Sequence, residues 1–143
     1  MRNFAILYPM FALAAWTMVV LLIIPVVRVR AALRREVRPN DFRFGESAAV
    51  PAQVSVPNRN YMNLLELPML FYIACLILFA IAGATHLAVA IAWSYVGLRI
   101  VHSLIHLTYN HVIHRLVVFA LSSVVLLVLW VLAALHLAAN PLA

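Results

Sequence analysis

Residues 64–107 read LLELPMLFYIACLILFAIAGATHLAVAIAWSYVGLRIVHSLIHL. Two apolar runs, about Leu64 to Ala82 and about Leu87 to Leu107, are parted only by Gly83-Ala84-Thr85-His86. Each approaches the roughly 20 residues that an α-helix needs to cross a bilayer core. The runs are continuous rather than alternating with period two, which indicates helices and not the strands of a barrel. A joint this short makes the two helices antiparallel neighbours.

Working outward, a further run extends from about Phe4 to Val27, broken only by Pro9 and Pro25. It exceeds the roughly 7–15 apolar residues of a signal peptide. Ala12-Leu13-Ala14 mimics a cleavage site, but the run continues past it, so a retained span is expected. The last run, about Leu116 to Ala139, follows a gap opened by Tyr109-Asn110-His111. The expected fold is an all-α integral membrane protein, one domain over residues 1–143, built as an up-down four-helix transmembrane bundle.

Composition agrees. Hydrophobic residues make up 67% and charged residues 10% of the 143, against roughly 45–50% and about 25% in soluble domains. This excludes a soluble nuclear factor, a secreted disulfide scaffold and a disordered tail. The single cysteine, Cys75, has no intrachain disulfide partner. No repeat or low-complexity segment stands out, and Pro51 to Pro57 reads as a short extended stretch.

The net charge of +6 comes from ten arginines and no lysine. Arg28, Arg30, Arg34, Arg35, Arg38, Arg43 and Arg59 all fall in the first interhelical segment, about 28–62. The second joint has none, and Arg115 lies beside the third. Such an asymmetry puts the first and third loops in the cytoplasm and both termini outside, as in a bacterial inner membrane. Arginines gathered this way orient a membrane protein and touch anionic headgroups; a direct part for Arg28 to Arg43 in ligand binding is the other reading. Nucleic acid is not an expected partner.

Ionisable groups inside a span are costly and are functional candidates by default. Two sets stand out. Arg59, Asn63 and Glu66 are spaced four and three apart, on one helical face. Pro68 follows and, if helical, leaves the Leu64 carbonyl without its donor. Arg99, His102 and His106 form a second stripe, flanked one turn away by Tyr95 and Tyr109. Arg99 needs a counter-charge, and Glu66 is the only acid within a span. For the first set the structural alternative is a buried Arg–Glu pair capping the bundle; for the second, either Glu66 pairs with Arg99 or Arg99 offers its planar fork to an anionic ligand such as a carboxylate. His102 and His106 at this spacing can hydrogen-bond between helices, or ligate a transition metal or haem, although no cysteine or second carboxylate joins them.

At these residues the sequence resembles the MAPEG family, the membrane-associated proteins of eicosanoid and glutathione metabolism. The likeness rests on Arg59-x-x-x-Asn63-x-x-Glu66-x-Pro68, on Arg99-Ile100-Val101-His102 and on Arg115, at spacings like those of the microsomal glutathione transferases. Pro39-Asn40-Asp41 followed by Phe44-Gly45 resembles their first cytoplasmic loop. Leu67, Asn60 and His106 depart from the pattern of several glutathione-binding members, which have tyrosine at the first and third of these positions.

The resemblance implies a homotrimer and a membrane-bound glutathione-dependent transferase or peroxidase. Glutathione would be the co-substrate, and lipophilic electrophiles or lipid hydroperoxides would enter from the bilayer. By the same resemblance, Arg59, Asn63, Glu66, Arg99, His102, His106 and Tyr109 would hold glutathione, with Arg99 from a neighbouring subunit. Arg115 would be the catalytic residue facing the sulfur. No resident metal is implied. Because the family also includes a lipid-binding member without catalysis, a non-catalytic lipid binder is the alternative, with a His-ligated haem or metal protein behind it.

Overall fold

The computed structural model describes residues 3–140. Every named element in it is helical. After a 3-10 turn at Phe4–Ile6, α1 covers Leu7–Leu33; α2 covers Ala52–Leu65, α3 Leu67–Ala80, α4 His86–Leu107 and α5 Val112–Ala139. Among the described residues, four helical segments are long and apolar enough to cross a membrane: Phe4–Leu33, Ala52–Ala80, His86–Leu107 and Val112–Ala139.

The second of these segments is two helices in one. Glu66, between α2 and α3, has ψ −87° and belongs to neither. The break follows from Pro68, whose missing N–H cannot bond the Leu64 carbonyl. The Met69 N–H instead reaches back three residues, to the Glu66 carbonyl at 3.2 Å. The kink therefore lies inside the segment that carries Arg59, Asn63 and Glu66. Residues 52–57, expected to be extended, are already helical. Pro51 sits at the N-cap, where its missing N–H leaves no helical bond unmade, and Pro57 lies inside the helix at the cost of one backbone bond. The segment between the first two spans is thus helical at both ends, to Leu33 and from Ala52, with a 3-10 turn at Pro39–Phe42 between.

The core is a seam of Leu13, Val20, Leu64, Phe71, Leu78, Ala88, Ala92, Tyr95 and Leu129, all essentially inaccessible. Small alanines on α4 let α1 approach its backbone, while Phe71 and Tyr95 stack across it with ring centroids 4.6 Å apart. In a bilayer such packing, and not water exclusion, drives helix association. The outward faces carry apolar side chains such as Phe11, Leu22, Leu76, Leu121 and Leu127, which suit lipid. Helix α4 packs against α1, α2 and α5 and is the most buried of the spans.

Both ends of the bundle are pinned. At one end, the Asn3 amide donates to the Ala84 carbonyl at 3.0 Å, and Thr85 caps α4 by accepting from the Ala88 N–H at 3.2 Å. At the other, Arg28 bonds Glu46 at 2.9 Å and lies over the Phe42 ring, which folds the basic segment back onto α1. That second end also holds the joint between α4 and α5, and with it the polar site.

Candidate functional site

The kinked segment brings its polar residues against α4 and the start of α5. A cavity of about 370 Å³ opens there, lined by Val56, Asn58, Arg59, Met62, Asn63, His106, Asn110 and Arg115. Its volume falls within the roughly 300–1,000 Å³ usual for small-molecule sites. Three segments contribute: α2, the last turn of α4, and the first turn of α5 with the joint before it. Two arginines and no acid line it. Next to it lies a second cavity of about 260 Å³, lined by Asn63, His102, Val112, Arg115, Leu116 and Phe119. Asn63 and Arg115 belong to both walls.

Arg99 is wholly buried on α4. Its Nη2 donates to the backbone carbonyl of Asn63, and its guanidinium carbon lies 5.6 Å from the centre of the Phe119 ring. Nε and Nη1 are buried with no hydrogen-bond partner. A buried charge hydrogen-bonded at only one of its three nitrogens is uncommon and costly. Glu66 does not supply a partner, because the only ion pair among the described residues is Arg28–Glu46. Glu66 is exposed at the kink and lines neither cavity.

His102 and His106 are buried on the same stripe, with ring centroids 6.2 Å apart and both Nδ1 atoms without partners. Each lines a different cavity, His106 the first and His102 the second. Among the described residues, no three His, Cys, Asp or Glu side chains converge on a metal position. Tyr109 is 60% exposed, and its hydroxyl meets His114 Nδ1 at 3.1 Å, away from both cavities. The structure thus gathers Arg59, Asn63, His106 and Arg115 around one cavity, and Arg99 and His102 close behind it. Glu66, whose charge still acts on Arg99, and Tyr109 line neither cavity.

Several polar residues of this region drew no attention as site candidates in the sequence. Asn58 and Asn110 line the first cavity. Asn60, one residue on from Arg59 and therefore on another face, is fully buried and donates to Ser103 Oγ on α4 at 2.6 Å. That bond locks α2 against α4 and sets the height of Arg59 and Asn63 beside the His stripe. The available signal was the polarity of residues 58–63, four of which are Asn or Arg, in so apolar a chain.

Comparison with known proteins gives one match. The MAPEG family model matches residues 6–135, nearly the whole chain. No curated protein and no solved structure matches it.

Proposed function

The chain belongs to the MAPEG family, a multi-pass membrane protein of the eicosanoid and glutathione metabolism type, and from that premise we propose that it is a glutathione-dependent transferase or peroxidase for lipophilic substrates. The observation that carries this reading is the first cavity, lined by Arg59 and Arg115 and by no acid, with Arg99 buried close behind and two of its nitrogens unsatisfied. Glutathione has two carboxylates, one ammonium and one thiol. Arg59 and Arg99 suit the carboxylates, and the amides of Asn58 and Asn63 suit the peptide groups. Glu66 lines neither cavity, so within one subunit no acid is assigned to the ammonium.

Arg115 is assigned to the sulfur. A thiol of ordinary pKa near roughly 8.5 is mostly protonated at neutral pH, and a guanidinium beside it favours the nucleophilic thiolate. The thiol proton passes to water. In transfer, sulfur bonds to the electrophilic carbon as the leaving group departs with its electron pair. In hydroperoxide reduction, sulfur attacks the terminal oxygen, the O–O bond breaks, and a second glutathione completes the reaction to alcohol, water and disulfide.

The lipophilic substrate is assigned to the second cavity. Val112 and Leu116 on its wall are 70% and 62% exposed on the surface of the single bundle, which supports a lateral route from the bilayer to Arg115. We assign the functional unit to a homotrimer, with the basic segment and the α4–α5 joint in the cytoplasm where glutathione is found. Purified protein supplied with glutathione and either an activated aryl chloride or a fatty-acid hydroperoxide tests this. Conjugate or alcohol formation that is lost in Arg115→Ala supports it, whereas inertness toward both substrates overturns it.

A further inference from the structure

We infer that Asn110 is the positioning residue for Arg115, an inference that rests on the glutathione reading above. At Asn110 two backbone features that end α4 coincide with a side-chain bond that a helix end does not require. Its φ is +50°, in the left-handed region that favours glycine and tolerates asparagine. Its backbone N–H closes the end of α4 by donating to the Ile105 carbonyl at 2.8 Å. A helix end of this kind asks only for glycine. Asparagine instead adds a side-chain carbonyl on the cavity wall, and Oδ1 accepts from Arg115 Nη1 at 2.6 Å.

The bond fixes a flexible side chain. Arg115 lies on the first turn of α5, four residues after His111, and no acid pairs with it among the described residues. A free arginine at a membrane boundary turns toward water or headgroups. Anchored at Nη1 by a neutral acceptor, it keeps its full charge and stays between the two cavities. An aspartate at 110 would hold the same nitrogen but would cancel the charge that stabilises a thiolate. The neutral amide therefore separates orientation from neutralisation, and the left-handed backbone delivers Oδ1 to that point.

The test measures the pH at which bound glutathione becomes a thiolate, by thiolate absorbance in detergent, together with glutathione affinity. Asn110→Gly keeps a residue that accepts φ +50° and removes only the acceptor, and its thermal midpoint checks the fold. The expected result is thiolate appearing about one pH unit higher, within the ~1–3 units that a nearby opposite charge contributes, with affinity changed less than about threefold. A double-mutant cycle separates positioning from direct contact. In an Arg115→Ala background, Asn110→Gly should produce no further shift. An undisplaced pH profile in the single variant, or an equal further shift in the double variant, overturns the inference. A parent protein that forms no thiolate overturns the glutathione reading instead, so the two failures are distinguishable.

Discussion

The Arg99 guanidinium donates to the backbone carbonyl of Asn63 and forms no ion pair with Glu66. The arginine thus joins α4 to α2 just before the kink, and its other two nitrogens have no hydrogen-bond partner; under the proposed function these take an acceptor from the ligand. Replacing the arginine with methionine, which keeps an unbranched apolar stem and has no charge, removes a desolvated cation and should leave the helices assembled. Glutathione affinity should fall at least about tenfold, in keeping with the ~1.5–3 kcal/mol of a charge-assisted hydrogen bond. Titration of Arg99→Met against the parent, with circular dichroism as the folding control, checks this.

Arg115 is predicted to act on the reaction more than on binding. Arg115→Ala should lower kcat by about 100-fold or more, the scale of a lost transition-state donor, and should change the dissociation constant by less than about threefold. Steady-state rates beside equilibrium titration give both numbers. A variant that loses affinity and keeps its turnover rate would move the arginine from the sulfur to a carboxylate.

Ser103 reports on the α2–α4 lock. Ser103→Ala leaves the buried Asn60 amide without its acceptor. Hydrogen bonds between membrane helices average about 0.6 kcal/mol and reach roughly 1.7; a loss near the upper figure is expected because Asn60 has no exposure to find a substitute. The check is the thermal or denaturant midpoint in a defined detergent.

Pro68 tests whether the kink serves the site. Pro68→Ala restores an N–H that can bond the Leu64 carbonyl and continue α2 into α3. The fold should be as stable as the parent or more so, yet Arg59 and Asn63 would turn relative to Arg115. Glutathione affinity should fall several-fold, measured alongside the unfolding midpoint. Stability unchanged and affinity unchanged would show that the break is only structural.

The spans were legible because their signal is collective: about twenty apolar residues in succession leave no alternative in a bilayer. The site was legible in part. Arg59, Asn63, Arg99, His102 and His106 were candidates because polar groups in such runs are costly, and Arg115 because of the family resemblance; the structure brings them to one end of α2, α4 and α5. The kink at Glu66 was not legible. Pro68 announced a missing hydrogen bond, but not that the backbone would break and turn Glu66 outward. Asn110 was hidden for another reason, since in sequence it looks like any turn residue; only its left-handed backbone and its bond to Arg115 mark it. Tyr109 matched the stripe by spacing, yet α4 ends at Leu107, so the helical projection no longer applies to it.

Under the proposed function, this bundle binds glutathione at the arginine-lined cavity. Calorimetric titration of glutathione into the purified protein in detergent tests it most directly. Saturable binding that is weakened in Arg59→Ala and in Arg99→Met is the predicted result. No heat of binding at millimolar glutathione, from protein that is folded by circular dichroism, would contradict it.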